Sequence, residues 1–149
     1  MIEQPIYILD TNIWLDWLGF SHDAMPALKA MQLAHEIDII YTDEMAEELA
    51  DVLSREHFKL SLEQQNTAMS AMRDAAREVE RRAPTQPIRC KDKDDQVFID
   101  TALAYQVDFL LSKDNHLLAL KNRAAKQLVR IASLDDWFNK FKTQNTQAA

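Results

Sequence analysis

The chain has 149 residues, of which 47% are apolar and 28% charged, a composition that excludes a disordered protein and predicts one globular domain over residues 1–142. Its single cysteine, Cys90, excludes an internal disulfide, and the lack of a long apolar run excludes a membrane-spanning helix, so we expect a cytoplasmic protein. The single glycine, Gly19, excludes a P-loop, whereas the net charge of −7 decides little, because a site that holds cations also needs acids.

The first half of the chain alternates between short strands and helices. Ile6–Leu9 is an unbroken apolar run that stops at Asp10, which is too short for a helix and typical of a buried strand in a parallel sheet. Asp10 should therefore lie at the carboxyl end of the central strand. The elements that follow are a helix with Trp14 and Trp17 that ends near Gly19, a helix from about His22 to Glu36, a strand at Ile39–Tyr41, and a helix that Thr42 or Asp43 caps.

The second half continues this alternation. Ser61–Gln64 has the form of a capping box and opens a long helix to about Arg82, which Pro84 and Pro87 terminate. The further elements are a short strand at Ile88–Cys90, a helix capped by the acids of Asp92–Asp95, a strand at Phe109–Ser112, a short helix at His116–Leu120, an edge strand at Leu128–Ile131, a helix capped by Ser133, and a polar tail over residues 143–149. Alternating strands and helices predict an α/β domain with a mostly parallel sheet.

Four acids fall where this topology brings them together. Asp10 ends the first strand and Asp114 follows the Phe109–Ser112 strand, so both should reach the same edge of the sheet. Glu48 lies about a turn and a half into the helix after the second strand, and Asp95 lies in the first turn of a later helix. Four converging carboxylates repel one another unless they are protonated or bind metal, and oxygen ligands suit Mg²⁺ or Mn²⁺.

Each acid also has a purely structural interpretation. Asp10 and Asp95 could cap helices, Glu48 could belong to a solvated helix face, and Asp114 could be a turn residue. Two other classes of protein gather acids at such an edge. A phosphatase of the haloacid dehalogenase type needs a second Asp where this chain has Asn12, and a receiver domain needs an acidic pair near its first strand and different spacing. The four acids together, at strand ends, favour a site.

Four segments in this order carry a resemblance to a known family. They are Ile8–Asn12, then Glu47–Leu49 with Val52–Arg55, then Cys90–Asp95 with Phe98, and then Leu111–Asp114 with Leu117 and Leu118. The chain resembles a PIN-domain protein, and more narrowly the branch of toxins from bacterial toxin–antitoxin pairs. This resemblance implies a Mg²⁺- or Mn²⁺-dependent endoribonuclease on a three-layer α/β/α domain with a mostly parallel five-stranded sheet. It also implies an RNA substrate, an antitoxin protein as partner, and a homodimer.

The resemblance assigns roles to particular residues. The acidic quartet of the family matches Asp10, Glu48, Asp95 and Asp114, and the polar residues beside the metal match Asn12 and Ser112. The resemblance makes Asp10 the central metal ligand and makes Asp95 and Asp114 further ligands. Glu48 is then either another ligand or the group that orients the attacking water.

The chain departs from the family pattern near Asp114. The family often has a second acid two residues further on, where this chain has His116, a poorer partner for Mg²⁺. Lys113 and Lys93 replace a small residue and a proline. The number of metal ions therefore stays open, with Asp92 as a candidate for the missing charge. The alternative function is a noncatalytic PIN-like module that binds RNA or a partner and has a weakened metal site.

Basic residues offer weaker indications. Arg89, Lys91 and Lys113 are candidates for contact with RNA phosphates. Arg73, Arg77 and Arg81 recur every four residues in the long predicted helix. Because acids are interspersed with these three arginines, a solvated and salt-bridged helix face is favoured over an RNA-binding face.

Overall fold

The computed structural model describes residues 4–19 and 23–140, and its centre is a parallel sheet. Within these residues the sheet has five strands in the order β3-β2-β1-β4-β5. The strands are β1 (Ile6–Leu9), β2 (Asp38–Tyr41), β3 (Arg77–Glu78), β4 (Phe109–Leu111) and β5 (Arg130–Ala132). All four pairings between neighbouring strands are parallel. The predicted α/β class with a five-stranded parallel sheet is confirmed.

Helices connect the strands, as parallel pairing requires. They are α1 (Thr11–Trp17), α2 (Met25–Leu33), α3 (Asp43–Leu53), α4 (Leu62–Ala75), α5 (Gln96–Ala104), α6 (Asn115–Leu118), α7 (Lys121–Ala125) and α8 (134–140). Thr42 and Ser61 cap α3 and α4 as expected, and Ser61 and Gln64 form the complete capping box. No helix in these two described stretches combines the length and the apolar character needed to cross a bilayer.

The central position of β1 follows from its apolar sequence. Tyr7, Ile8 and Leu9 are almost fully buried, since helices cover both faces of the strand. The chain continues from β1 to β2 on one side and later returns to β4 on the other. Ligands of open α/β sheets bind at such a reversal, outside the carboxyl ends of the strands. The residues that follow β1 and β4 are Asp10 and Ser112.

The long predicted helix is wrong beyond Ala75. Arg77–Glu78 leaves the helix and pairs with β2, and the amide of Val79 continues the pairing by donating to the Tyr41 carbonyl at 2.8 Å. The Arg77 guanidinium bonds the Asp38 carboxylate at 2.8 Å across the two strands. These contacts give hydrogen-bond partners to the backbone groups at the open edge of β2. The helical periodicity of the sequence does not reveal that those groups need partners.

The predicted strand at Ile88–Cys90 is also wrong. Gln96, in the first turn of α5, takes the place of a neighbouring strand. Its side-chain oxygen accepts from the Cys90 amide at 2.8 Å, and its side-chain nitrogen donates to the Ile88 carbonyl at 2.8 Å. One amide side chain thus bonds two backbone groups of this segment.

The remaining differences concern element ends. Helix α2 begins at Met25 and ends at Leu33, so its predicted start at His22 lies outside the described residues. Helix α7 was not expected, and β5 begins at Arg130 because Leu128 has a left-handed backbone (φ 67°) that ends the helical segment. The domain end at residue 142 and the tail 143–149 also lie outside the described residues.

Candidate metal centre

Asp10 is the most buried acid of the predicted quartet, with only 3% of its surface exposed. One carboxylate oxygen, Oδ1, caps α1 by accepting from the Ile13 amide at 2.9 Å. The other, Oδ2, accepts from the Ser112 hydroxyl and from the Lys113 amide at 3.1 Å. Burial raises the pKa of Asp10, while the hydrogen bond from Ser112 opposes the rise. Asp10 therefore has the expected structural role as a helix cap and also presents a fixed carboxylate at the sheet edge.

Ser112 links Asp10 to Asp114. Its hydroxyl donates to Asp10 and accepts from the Asp114 amide at 2.9 Å. Asp114 in turn caps α6, where its Oδ1 accepts from the His116 amide at 2.7 Å. The carboxyl ends of β1 and β4 are thereby held in one hydrogen-bonded network, which fixes the relative positions of two predicted ligands.

A cleft of about 330 Å³ opens at this edge of the sheet. It brings together six of the acids and polar residues that the sequence singled out, namely Asp10, Asn12, Glu48, Asp92, Asp95 and Asp114. Four other polar or charged residues of the lining were not predicted as site residues, namely Thr11, Arg55, His57 and Asp94. The predicted convergence of acids from separate segments therefore exists in the structure.

Glu48 reaches the cleft from α3 and is held there by Thr11. The Thr11 hydroxyl donates to the Glu48 carboxylate at 2.9 Å. Burial raises the pKa of Glu48, the hydrogen bond from Thr11 lowers it, and the nearby Asp94 and Asp10 raise it further. Thr11 is a site residue that sequence reasoning missed. The available signal was its place directly after Asp10, at the strand end.

The carboxyl group of Asp95 is strongly perturbed by its surroundings in the cleft. Burial, followed by the adjacent Asp114 carboxyl, raises its pKa to about 7. Its Oδ2 atom is buried and has no hydrogen-bond partner within the described structure. Asp95 does not cap α5 with its side chain. Asp92 instead caps the preceding 3₁₀ turn Lys93–Asp95, accepting from the Asp94 amide at 2.9 Å.

These features fit a divalent cation. One ligand atom from each of Asp92, Asp95, Asp114 and His116 lies within 4.8 Å of the others. Asp10 and Glu48 border the same cleft. An orphaned carboxylate oxygen and several acids with raised pKa values are what a missing positive charge produces, and carboxylate oxygens are the ligands that Mg²⁺ and Mn²⁺ take.

The candidate RNA-binding cations differ in their surroundings. Arg89 and Lys91 are exposed beside the acidic segment. The ammonium of Lys113 lies 2.5 Å from the carboxylate of Asp16, whose side chain is 6% exposed. Among the arginines of the long predicted helix, Arg77 pairs with Asp38, and Arg81 pairs with Glu44 and Asp100. These two arginines form ion pairs as expected, but with acids of other segments, and the predicted helix face is wrong because both lie beyond the end of α4.

We expect Lys113→Met to lower the free energy of unfolding by about 1–2 kcal/mol, because it leaves the Asp16 carboxylate buried without its counterion. Urea unfolding followed by circular dichroism measures the change. Lys126→Met, at an exposed lysine outside the site, is the matched control and should change stability by less than about 0.5 kcal/mol. If Lys113→Met and Asp16→Asn add without coupling in the double variant, the ion pair contributes nothing.

Three comparisons with known proteins bear on the fold and the family. A family model described as PIN domain matches residues 7–116. The solved structure of VapBC2 from Rickettsia felis, bound to a DNA fragment from their promoter, matches with a TM-score of 0.62 and 15% identity over 86% of this chain and 98% of that chain. PAE2754 from Pyrobaculum aerophilum matches with a TM-score of 0.60 and 11% identity over 93% and 90% of the two chains. No curated protein matches. At these identities the two solved structures show likeness of fold alone.

Proposed function

The chain belongs to the PIN domain family, and from this we propose that it is a Mg²⁺- or Mn²⁺-dependent endoribonuclease and the toxin of a toxin–antitoxin pair. The observation that carries the enzymatic part is the cleft at the carboxyl edge of the sheet. It collects the acids Asp10, Glu48, Asp95 and Asp114 from four separate segments. Burial raises the pKa of Asp10, Glu48 and Asp95, so the folded chain bears a cost for these acids that a bound cation would offset.

In this proposal Asp10, Asp95 and Asp114 hold the cation, with Asp92 as an additional acid. The bound ion would supply an acidified water and stabilise the charge of the leaving 3′ oxygen of a phosphodiester. Asp10 is suited to a central role because Ser112 and the backbone of α1 fix both of its oxygens. Asn12, exposed at the rim of the cleft, is available to the substrate.

Glu48 is the residue we assign to the water. It enters from the side of the cleft formed by α3, and Thr11 fixes its Oε2 at 2.9 Å. A carboxylate with a raised pKa is better matched to accepting a proton near neutral pH than one with an ordinary pKa. Glu48 would therefore orient the attacking water, with direct ligation of the ion as the other role open to it.

RNA phosphates must approach a cleft that is rich in acids. Arg55 borders the cleft and offers a cation there, although it also bonds Asp51 at 3.4 Å. Arg89, Lys91 and Lys113 remain the proposed phosphate contacts outside the cleft. The local sign of the charge would reverse once a cation is bound, which is how an acidic protein can hold a polyanion.

The antitoxin part of the proposal draws on the solved neighbour VapBC2, a toxin–antitoxin complex. A groove of about 570 Å³ lies between α1 and α4, and its apolar lining consists of Trp17, Leu18, Leu53, Leu60, Ala68 and Ala71, with Lys29 and Glu63 among its polar residues. We assign this groove to an apolar segment of the antitoxin. Co-expression with any small protein that a neighbouring gene encodes tests the assignment, and Ala68→Arg should abolish co-purification while the variant stays folded. A homodimer and a cytoplasmic location stay predictions.

A noncatalytic module is the second candidate, because His116 stands among the acids where the family often has a further carboxylate. Such a module would bind RNA or a partner without cleaving it. It predicts that RNA affinity is unchanged when the acids of the cleft are neutralised.

The proposed activity is tested by incubating the purified chain with labelled single-stranded RNA in Mg²⁺, in Mn²⁺ and in chelator. We expect cleavage with at least one of the two ions and none in chelator, because the acids alone cannot stabilise the negative charge on the leaving oxygen. Melting temperature in the same three buffers reports whether the ion binds. Inertness in every buffer, with RNA still bound and no effect of metal on melting, would replace the nuclease with the binding module.

A further inference from the structure

The His116 side chain lies next to the carboxylates of the candidate metal site. Its Nδ1 atom lies 3.6 Å from Oδ1 of Asp114 and 3.9 Å from Oδ2 of Asp92. Asp95 completes the group, whose ligand atoms all lie within 4.8 Å of one another. We propose that His116 is a nitrogen ligand of the bound cation and that it makes the site select a transition-metal ion, represented by Mn²⁺, over Mg²⁺. This inference rests on the proposed metal-dependent function.

The distances fit a shared ion. Two atoms that bind one ion at about 2.1 Å each can lie at most about 4.2 Å apart. Both distances from the His116 imidazole to its acidic neighbours are below that limit. The widest separation in the group, 4.8 Å, exceeds it by only about 0.6 Å, a closure that side-chain rotation can supply.

The backbone holds His116 at this place. Its amide donates to Oδ1 of Asp114 at 2.7 Å, and its carbonyl faces the Cys90 thiol at 3.9 Å. The residue is therefore fixed to a proposed ligand on one side and to the acidic segment on the other. An imidazole attached in this way points its Nδ1 at the carboxylates without any change in the fold.

The donor chemistry then sets the preference for metal. Three carboxylates suit Mg²⁺ and Mn²⁺ alike, whereas an imidazole nitrogen is a ligand that transition-metal ions accept and that Mg²⁺, which takes oxygen, disfavours. Replacing an acid by His116 also removes one negative charge from the site, which weakens a purely electrostatic hold on Mg²⁺. His116, in place of the acid that the family often has, therefore shifts the metal preference of the site towards Mn²⁺.

Pulsed electron paramagnetic resonance of Mn²⁺ bound to the full chain tests the assignment without any substrate. We expect nitrogen-14 modulation from a directly bound imidazole, and a ratio of Mg²⁺ to Mn²⁺ dissociation constants of at least about 10 by competition. His116→Asp should abolish the modulation and lower the ratio at least about tenfold, since the site becomes all oxygen. His57→Asn is the matched control, because His57 borders the same cleft outside the group, and it should change neither value.

The outcomes separate this inference from the function it rests on. Bound Mn²⁺ without nitrogen modulation, or modulation that survives His116→Asp, overturns the role of His116 and leaves a metal-dependent nuclease intact. In that case the imidazole only lies beside the carboxylates of Asp92 and Asp114. Failure of Mn²⁺ and Mg²⁺ to bind the wild-type chain at all overturns both this inference and the proposed metal dependence.

Discussion

Asp10→Asn is expected to lower the rate of metal-dependent RNA cleavage by at least about a hundredfold, a loss of roughly 3 kcal/mol of transition-state stabilisation. Asp10 is the acid that the structure fixes most completely, with hydrogen bonds to both of its oxygens. Asparagine has nearly the same shape but lacks the negative charge that a divalent cation requires. The substitution therefore removes the charge of the proposed central ligand while nearly keeping its shape.

The variant should remain folded. Asparagine caps helices as well as aspartate does, so the bond from the Ile13 amide to residue 10 can be kept. Its amide nitrogen then faces the Lys113 amide, and that lost bond costs about 1–3 kcal/mol. Removal of a buried charge whose pKa is already raised offsets part of this cost.

Initial rates on labelled single-stranded RNA in Mn²⁺, together with circular dichroism of each variant, measure the effect. Asp74→Asn removes the same charge from an exposed site on α4 and should cleave RNA at the wild-type rate. A folded Asp10→Asn variant with full activity would remove Asp10 from the site and leave it as a helix cap only. RNA affinity that survives in an inactive variant is compatible with the nuclease, because phosphate contacts outside the cleft remain.

The central strands of the fold could be predicted from the sequence because each has a recognisable local pattern. The strands β1 and β4 are short unbroken apolar runs, and β2 is one after its first residue, Asp38; each strand is followed at once by a polar or acidic residue. Burial on both faces of these strands accounts for the apolar runs. The polar residues that follow mark the carboxyl ends of the strands, so the sequence alone places Asp10 and Asp114 at one edge of the sheet, where the structure has them.

The third strand could not be found in this way. Arg77 and Glu78 are both exposed and charged, so nothing in their composition is typical of a strand. They continue the helical spacing of α4, and only pairing with the open edge of β2 and the Asp38 carboxylate changes their conformation. The Ile88–Cys90 segment failed for the opposite reason. It has a strand-like composition, but Gln96 satisfies its backbone from a neighbouring helix.

The acids of the site could be predicted from the sequence, but the side-chain contacts that hold them in place could not. Carboxylates at strand ends can be counted in a sequence, whereas the bond from Thr11 to Glu48 spans 37 positions and depends on how α1 and α3 meet. The pair between Asp16 and Lys113 depends in the same way on the packing of α1 against the end of β4. Such supports are decided by tertiary packing, which local patterns do not encode.

Metal-free protein is expected to lose stability as the pH rises from about 4 to about 7, and Asp95→Asn is expected to remove much of that loss. The folded pKa of Asp95 is raised to about 7 from an ordinary value of 3.8. The folded state therefore binds more protons than the unfolded state between these two values, so the free energy of unfolding falls with rising pH. Because Asp95 is partly open to solvent, we expect its contribution to be about 1–2 kcal/mol.

The difference between wild type and variant isolates this one carboxyl. Melting temperatures in chelator should nearly coincide near pH 4.5, while Asp95→Asn should melt higher by about 2–8 °C at pH 8. Asp74→Asn should follow the wild type at both values. A constant difference across the range would mean that the pKa of Asp95 is not raised in the folded protein.

Bound metal should raise the melting temperature of the wild type, as Asp95→Asn does. The substitution removes the Asp95 charge, whereas the metal ion neutralises it. The folded chain bears a cost for the Asp95 charge, which a divalent cation offsets. Saturating Mn²⁺ should therefore raise the melting temperature of the wild type most at pH 8. The increase should be smallest near pH 4.5, because protons compete there for the same carboxylate oxygens. Asp95→Asn should gain much less from Mn²⁺ at any pH. A variant that is more stable without metal, less responsive to it and poor in RNA cleavage would show that the strain at Asp95 is the cost of a site kept ready for a cation.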